Sequence, residues 1–443
     1  MKTIATISTP MGSGAIGIVR MSGDEAKTIA GKMFATKKLS SFEEASPNYM
    51  YYGRVKTDSF EDACLAVYFQ APASYTGEDV VEFQCHGGVR LLDEVLKQCI
   101  KYGAVIADKG EFTKRAFLNG KMALSDCEGV TDMITSESLS ALKASSRLMQ
   151  GGVSGEIKGY QTQLLDSIAE LEASLDYPEE MEDESKSNCG HVLSFLSQKL
   201  QKLVDSQKVG GYIKQGVTVG IVGQTNVGKS SLLNRLLGRD RAIVTDIAGT
   251  TRDTLEECIE YKGVLLRLVD TAGIRETDDK VEAIGVERSM DIAKNSDLTL
   301  FVTPSDRPMN DEEKALEKSL ADSGVKMIKV VNKCDLTRVD TEGLAISAKT
   351  GQGIDELKEN IVDAVIGQSI DASGNVITNR RHAQAIEQAL ECIKSAEQAL
   401  YSQPTECVLL DLRQAYFELG KITGDSASED IINSIFSKFC LGK

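Results

Sequence analysis

The sequence predicts a multidomain chain of combined α/β and α class, in which an α+β domain comes first and a helical domain is split around an inserted α/β domain. Three observations predict this order. Short β-like runs punctuated by glycine fill residues 1–120. Strand and helix signals alternate over residues 216–372, as in a parallel sheet covered by helices. Long helical patterns fill residues 121–215 and 373–443, and we expect these two segments to pack together.

The composition restricts the classes of protein that fit. The 443 residues include 50 Lys and Arg against 66 Asp and Glu, a formal net charge of −16. A chain with this negative net charge does not attract nucleic acid, which is itself negatively charged. Any contact with RNA must therefore use a local patch of basic residues. The ten Cys form no C-x-x-C pair and only three His occur, which argues against a zinc module and a secreted disulfide framework. We therefore expect a cytoplasmic protein. No run of about 18 apolar residues occurs, so no membrane span is predicted.

The N-terminal region contains three runs of strand character and one of helical character. Residues 15–20, 64–69 and 80–84 predict strands, and the segment from Val89 to Tyr102 predicts a helix. These runs favour an α+β arrangement for the first domain.

The two outer helical segments contain apolar stripes and one acidic run. Apolar residues recur at helical spacing from Val130 to Met149. The run from Asp166 to Glu184 contains nine acidic residues and no basic one, so it is either a solvated face or a docking patch for a basic partner. Two C-terminal stripes predict buried helix faces: Ala385, Ile386, Leu390 and Ile393, then Leu409, Leu412, Tyr416 and Leu419.

A phosphate-binding loop is the most specific motif of the inserted domain. The β-like run at 217–222 leads directly into Gly223-Gln-Thr-Asn-Val-Gly-Lys-Ser230, and a helical run follows. The glycines let backbone N–H groups surround phosphates, and the helix N-terminus adds positive potential. Lys229 is expected to reach the β and γ oxygens, and the Ser230 hydroxyl is expected to bind Mg²⁺.

Three further motifs indicate a guanine nucleotide. Asp270-Thr-Ala-Gly273 ends a β-like run, where a carboxylate can meet the Mg²⁺ shell. Asn332-Lys-Cys-Asp335 ends another, and its final carboxylate can accept from N1–H and the exocyclic amine of guanine. Adenine offers neither donor there, so Asp335 discriminates GTP from ATP by about 2 kcal/mol or more. Ser347-Ala-Lys349 suits a backbone contact to guanine O6.

The source of transition-state charge is not evident from these motifs. Ile274 stands where Ras-like proteins have a water-orienting Gln, and Arg252 and Arg275 are candidates for an arginine finger only because they lie nearby. Glu282 could position water, although an exposed Glu at a helix start is the simpler interpretation. Thr251 is the expected switch ligand for Mg²⁺, together with Ser230.

The chain resembles the MnmE (TrmE) family of tRNA-modifying GTPases over nearly its whole length. The resemblance rests on the nucleotide motifs and on the following further motifs: Tyr75-Thr-Gly-Glu-Asp79, Cys85-His-Gly-Gly88, Gly110-Glu-Phe-Thr-Lys-Arg-Ala-Phe-Leu-Asn-Gly-Lys121, Asp246-Ile-Ala-Gly-Thr-Thr-Arg-Asp253, Ile422-Thr-Gly424 and Phe439-Cys-Leu-Gly-Lys443. The terminal C-x-G-K is the most distinctive of them. Thr225 stands where many relatives carry Pro, a change that affects the rigidity of the loop and not its ligand chemistry.

The resemblance implies an architecture and a reaction. Residues 1–120 would bind a tetrahydrofolate derivative, 5-formyl or 5,10-methylene, and form a homodimer. Residues 121–215 and 373–443 would be the two parts of the helical domain, around a Ras-like P-loop GTPase domain at 216–372. Hydrolysis would be stimulated by K⁺-dependent dimerisation of the GTPase domains. With a flavoprotein partner, MnmG (GidA), which carries the FAD, the family adds a carboxymethylaminomethyl or aminomethyl group to carbon 5 of the wobble uridine of certain tRNAs.

The resemblance also assigns roles to single residues. Glu282 matches the catalytic glutamate, and Cys440 matches a cysteine needed for modification. The implied K⁺ ligands are Asn226, Thr245, Ile247 through its carbonyl, and Thr250. The implied folate-binding residues are Arg20, Glu82, Lys121 and Lys443. The predicted GTP site comprises Asn226, Val227, Gly228, Lys229, Ser230, Ser231, Thr245, Asp246, Ile247, Ala248, Gly249, Thr250, Thr251, Asp270, Thr271, Ala272, Gly273, Asn332, Lys333, Asp335, Ser347, Ala348 and Lys349.

One alternative function would also use the nucleotide motifs. A ribosome-assembly or membrane-associated GTPase switch would use the same nucleotide domain without folate chemistry. Such a switch predicts an appendage rich in Lys and Arg, and the chain after residue 380 shows no such concentration.

Overall fold

The computed structural model describes residues 2–238, 257–270, 289–336, 342–367, 375–440 and 442. Contacts divide the chain into two compact units. One comprises Met1–Thr131, Leu148–Ala169 and Arg413–Lys443, and the other comprises Asp132–Arg147 and Glu170–Leu412. The first unit extends across the domain boundary expected at residue 120, and the second extends across the boundary expected at residue 215. The boundary expected at residue 372 falls outside the described residues. These boundaries therefore stay predictions.

The first unit contains a seven-stranded sheet in the order β3-β4-β5-β6-β2-β1-β7. The strands pair antiparallel except β1 and β7, which are parallel. The elements in chain order are β1 (Ile4–Ile7), β2 (Gly14–Ser22), α1 (Ala26–Met33), β3 (Phe34–Ala35), a 3-10 turn (Phe42–Glu44), β4 (Met50–Lys56), β5 (Glu61–Phe69), β6 (Val80–Gly87), α2 (Val89–Lys101), β7 (Val105–Ile106) and α3 (Glu111–Leu118). The three predicted strands and the predicted helix of this region are confirmed.

The main core of this sheet lies on one face, and a smaller buried cluster of Ile4, Ala107 and Phe112 lies on the other. Alternate residues of the strands, such as Val19 and Phe83, pack against α1 and α2 and are fully buried. The opposite face of the sheet carries Arg20 and Glu82, which lie opposite each other on β2 and β6. This second face therefore presents the predicted folate-binding pair.

Four helices follow: α4 (Leu124–Ile134), α5 (Leu139–Met149), α6 (Gly152–Asp176) and α7 (Pro178–Gln215). The helical pattern predicted from Val130 to Met149 is interrupted, because α4 ends at Ile134 and α5 begins at Leu139. Ser136 and Ser138 explain the break. The Ser136 hydroxyl donates to the Asp132 carbonyl at 2.6 Å, and Ser138 Oγ accepts from the Ala141 N–H at 3.2 Å. Hydroxyls that bond nearby backbone groups in this way end and begin helices.

The second unit contains a six-stranded sheet in the order β13-β12-β11-β8-β10-β9. The predicted parallel sheet is confirmed, except that the edge strand β9 runs antiparallel to β10. Its elements are β8 (Val217–Val222), α8 (Lys229–Leu237), β9 (Glu257–Tyr261), β10 (Val264–Asp270), β11 (Leu298–Pro304), α9 (Asp311–Asp322), β12 (Met327–Asn332), β13 (Leu344–Ala345) and α10 (Ile354–Ile366).

The C-terminal region is helical: α11 (Arg380–Ala399), α12 (Thr405–Thr423) and α13 (Glu429–Phe436). The expected packing of the two helical segments is confirmed, because α11 packs along α7. Its predicted stripe is buried, with Ile386 and Ile393 fully covered. None of the helices in the described part of the chain is long and apolar enough to cross a membrane.

Candidate functional site

The phosphate-binding loop lies between β8 and α8, as predicted. The buried strand β8 ends at Val222, directly before Gly223, and α8 begins at Lys229. Gly228 has a φ of 97°, and a Cβ there would lie 2.3 Å from the Asn332 side-chain nitrogen. Asn226 has a φ of 64°, a left-handed conformation that asparagine adopts more readily than most residues. The loop therefore needs glycine at 228 for both space and backbone geometry.

Lys229 lies folded over this loop. Its Nζ donates to the carbonyl oxygens of Gly223 and Gln224, each at 2.8 Å. Burial lowers the pKa of the Lys229 ammonium, and the nearby Asp270 carboxylate partly opposes that shift. The Lys229 ammonium therefore contacts two carbonyl oxygens, and phosphate oxygens of a bound nucleotide can take the place of these two contacts.

Ser230 and Asp270 form the described part of the predicted Mg²⁺ site. The Ser230 hydroxyl, in the first turn of α8, donates to Asp270 Oδ2 at the end of β10, at 3.4 Å. A hydroxyl and a carboxylate are hard oxygen ligands of the kind that Mg²⁺ prefers, so the pair fits this ion.

The predicted guanine-binding residues meet at the ends of β12 and β13. The Ser347 hydroxyl donates to Asp335 Oδ1 at 2.6 Å, and the Thr350 N–H donates to the same hydroxyl at 3.1 Å. This hydrogen bond from Ser347 lowers the pKa of the exposed Asp335 carboxyl. The carboxylate therefore stays ionised below its ordinary pH range, in the form that accepts two hydrogen bonds from guanine.

Asn332 joins the phosphate loop to the guanine-binding turn. Its side chain is buried, and it donates to the Val227 carbonyl at 2.9 Å while accepting from the Ala348 N–H at 3.0 Å. The Ala348 N–H is therefore engaged by Asn332 within the protein. Lys333 Nζ lies 3.6 Å from Asp306 Oδ2.

Two further residues hold these loops and were missed from the sequence. Arg235, on α8, donates through Nε to the Ala348 carbonyl at 2.7 Å and through Nη2 to the Lys349 carbonyl. Gln224 accepts from Asn310 Nδ2 at 2.8 Å and donates to Glu312 at the start of α9. The sequence contains one indication of Arg235, its place six positions after Lys229. Its role was not evident because its hydrogen-bond partners lie more than 100 residues away in the chain.

The remaining predicted nucleotide and cation residues lie outside the described residues: Thr245, Asp246, Ile247, Ala248, Gly249, Thr250, Thr251, Thr271, Ala272, Gly273 and Glu282. The same holds for Arg252, Ile274 and Arg275, and for Lys443 at the C-terminus. Ser231 is described and is exposed in the first turn of α8.

The predicted folate-binding residues Arg20 and Glu82 form an ion pair. Arg20 Nε donates to Glu82 Oε1 at 2.7 Å, and both side chains are largely buried. The Arg20 guanidinium also lies 5.8 Å from the centroids of the Tyr75 and Phe112 rings. A charged pair bordered by aromatic rings can stack a planar heterocycle and hydrogen-bond its edge.

Lys121 contacts the loop that carries Tyr75. Its Nζ donates to the Pro72 carbonyl at 2.9 Å, and the Tyr75 hydroxyl is held by Thr113 Oγ1 at 2.8 Å. Through this loop the structure connects Lys121 to the surroundings of Arg20.

The C-terminal tail lies beside the end of β1. A Cβ at Gly442 would come within 2.7 Å of Ser8 Cα and 2.8 Å of the Ile7 carbonyl oxygen. Cys440 is exposed on this tail. Because β1 pairs directly with β2, the tail lies one strand away from the strand that carries Arg20.

Comparisons with known proteins agree over the full chain. The model of the MnmE helical domain matches residues 124–440, and that of the GTP-binding protein TrmE N-terminus matches residues 3–121. The G domain of the T. maritima iron transporter FeoB is 27% identical and covers 33% of this chain and 98% of that chain, with a TM-score of 0.25. That score supports no comparison of geometry.

Relatives named tRNA modification GTPase MnmE align with the whole of this chain. The proteins of Acetivibrio thermocellus and Ligilactobacillus salivarius are 40% and 39% identical, with 99% and 98% of their own lengths covered. The protein of Streptococcus gordonii is 38% identical, with 98% of its length covered. With both family models and full-length relatives in agreement, the chain belongs to the MnmE family of tRNA modification GTPases.

Proposed function

We propose that this chain hydrolyses GTP as part of tRNA modification. The observation that carries the proposal is the bridge made by Asn332, which joins the Lys229 loop and the Asp335 turn into one site. One end of that site suits phosphates and the other suits the hydrogen-bond donors of guanine. Full-length relatives named for tRNA modification supply the substrate class.

The test of this proposal is restoration of a tRNA modification. The chain would be expressed in a bacterial strain that lacks its own family member, and tRNA nucleosides would be measured by mass spectrometry. We expect the wild-type chain to restore the modification at carbon 5 of the wobble uridine and Lys229→Ala to restore none. Active GTP hydrolysis without restoration would favour the ribosome-assembly or membrane-associated GTPase switch instead.

The finer reaction follows from the family resemblance. The chain would act with an FAD-containing MnmG partner to add a carboxymethylaminomethyl or aminomethyl group at this carbon, with a tetrahydrofolate derivative as one-carbon donor. Support on this chain comes from the Arg20–Glu82 pair, because a carboxylate matches the N–H edge of a pterin and a guanidinium matches the glutamate tail. Cys440 is proposed as a residue needed for modification.

A homodimer is also proposed. The open face of the N-terminal sheet leaves three large apolar side chains exposed: Ile16 by 65%, Tyr52 by 71% and Met50 by 46%. Exposed apolar side chains grouped on one sheet face are typical of protein interfaces. Arg20 and Glu82 lie on the same face, so a second copy seated there would border the proposed folate site.

Two cations are proposed at the phosphate loop. Mg²⁺ would be held by Ser230 and Thr251, and K⁺ by Asn226, Thr245, Ile247 and Thr250. The exposed Asn226 side chain projects from the loop with a left-handed backbone, and its amide oxygen is a suitable cation ligand. When bound, K⁺ would supply positive charge where other GTPases use an arginine finger.

We expect GTP hydrolysis to be at least about tenfold faster in KCl than in NaCl at equal ionic strength, because charge placed at the phosphates in the transition state lowers the barrier. Steady-state phosphate release would measure the two rates. Asn226→Gly keeps the positive φ and removes the amide oxygen, so it should bring the KCl rate down to the NaCl rate. Equal rates for the wild-type chain would refute the K⁺ site.

Glu282→Ala is expected to leave GTP binding unchanged and to slow hydrolysis by about 100-fold, because a positioned base that orients water contributes on that order. Single-turnover hydrolysis and equilibrium nucleotide binding would separate the two effects. A normal single-turnover rate would show that Glu282 is an ordinary helix-start residue.

Glu82→Gln is expected to weaken binding of 5-formyltetrahydrofolate by about 10- to 100-fold, because a charge-assisted hydrogen bond contributes about 1.5–3 kcal/mol. Calorimetry on the full chain would measure the affinity. The exposed Glu43→Gln is the matched control and should bind normally. If both variants and the wild-type chain bind equally, the carboxylate is not part of a folate site.

A further inference from the structure

The connection between α4 and α5, residues 135–138, lies against the hairpin of β9 and β10. Immediately after it, the Leu139 N–H donates to Glu260 Oε1 at 2.9 Å, and the Ser140 N–H donates to the Gly263 carbonyl at 3.1 Å. A Cβ at Gly263 would lie 2.8 Å from Ser140 Oγ. The hairpin and the start of α5 therefore approach so closely that a side chain at Gly263 would displace the Ser140 hydroxyl.

Arg267, in the middle of β10, joins this hairpin to two helical segments. Its Nη2 donates to Glu137 Oε2 at 2.6 Å, within the connection, and its Nε donates to the carbonyl of Gln215 at 2.9 Å, the last residue of α7. Both charged side chains are about two-thirds covered, at 27% and 31% exposure. Partial burial protects this ion pair from solvent screening better than a fully exposed pair.

The same strand ends in the nucleotide site. Asp270, three residues after Arg267, meets the Ser230 hydroxyl, and β10 is paired along this length with β8, which leads into the phosphate loop. β10 is hydrogen-bonded to β8 as far as Asp270 and to β9 as far as Leu268. A continuous path of backbone and side-chain bonds therefore links Asp270 to Arg267 and to its helical partners.

We infer that the ion pair of Arg267 with Glu137 transmits the nucleotide state to the connection 135–138. The inference rests on the proposed GTP site. The connection 135–138 is then the helical segment that responds to the nucleotide, and its response depends on the ion pair of Arg267 with Glu137.

Hydrogen exchange on the full chain tests this inference. The wild-type chain would be measured with and without a non-hydrolysable GTP analogue, and we expect exchange in residues 132–147 to change by at least about threefold when the analogue binds. Glu137→Gln, a change of similar shape, should abolish that response while the affinity for the analogue changes by less than about twofold. Glu359→Gln breaks the pair with Lys262 on the same hairpin and should leave the response intact.

A further variant and three outcomes complete this test. Glu137→Asp keeps the carboxylate that pairs with Arg267 and should retain the response that Glu137→Gln removes. The inference is overturned if the wild-type chain binds the analogue without a change at 132–147, or if Glu137→Gln keeps the response. A wild-type chain that binds no guanine nucleotide would overturn the GTP site and this inference together. Exchange in β11 and β12, which belong to the same compact unit as Arg267, shows that each variant is folded.

Discussion

Lys229→Ala is expected to lower the rate of GTP hydrolysis by at least about 100-fold, because preorganised positive charge at the transferred phosphoryl group contributes several kcal/mol to catalysis. The structure holds the Lys229 ammonium on two carbonyl oxygens of the phosphate loop, half-buried and beside Asp270. Bound phosphates would replace these carbonyl contacts with charge-assisted hydrogen bonds. Phosphate release over a range of GTP concentrations would give kcat and KM separately.

The matched control for this change is Lys314→Ala. Lys314 is exposed and lies 3.9 Å from Asp311 on α9, so its loss should leave hydrolysis within about twofold of the wild-type rate. Thermal unfolding would confirm that the Lys229→Ala variant is folded. A loss of less than tenfold in kcat/KM would show that the phosphates do not reach this ammonium.

Asp335→Asn is expected to reduce the preference for GTP over ATP by at least about 30-fold, since two hydrogen bonds between a carboxylate and guanine contribute about 2–3 kcal/mol. The amide that replaces the carboxylate places an N–H donor where guanine presents its own amine. Competition of GTP and ATP against a fluorescent guanine nucleotide would measure the preference.

Xanthosine triphosphate provides the positive control for this variant. Xanthine has a carbonyl oxygen where guanine has the amine, so the asparagine amide should bind it better than it binds guanine. Asp306→Asn, which alters the neighbouring pair with Lys333, should keep the GTP preference. An unchanged GTP preference in Asp335→Asn would contradict the placement of the guanine edge.

Much of the nucleotide site was predictable because its chemistry is local in the sequence. The loop at 223–230, the carboxylate at the end of β10 and the turn after β12 each follow a buried strand, and the carboxyl ends of parallel strands meet at one edge of a sheet. Three strands of the N-terminal region, β2, β5 and β6, and the helix α2 were predictable from short β-like runs punctuated by glycine and from one stretch of helical spacing.

Contacts between distant segments were not predictable. Arg235 bonds carbonyls of the guanine-binding turn, and no periodicity in its own helix indicates a partner so far along the chain. The interruption between α4 and α5 was missed because the apolar spacing continues through it, while Ile134 and Leu139 remain about half exposed. Serine hydroxyls ended the helical pattern there, and their effect depends on geometry that apolar periodicity does not report.

The buried Asn332 side chain couples the binding of the guanine base to the binding of the phosphates. One buried amide fixes both the Val227 carbonyl of the phosphate loop and the Ala348 N–H of the guanine-binding turn. A ligand that orders either loop therefore lowers the entropic cost of ordering the other. Guanosine and pyrophosphate should each bind more tightly when the other is present, and GDP should bind more tightly than the separate affinities of its fragments imply. We therefore expect the base and the phosphates to bind cooperatively, with the Asn332 side chain as one physical link between their sites.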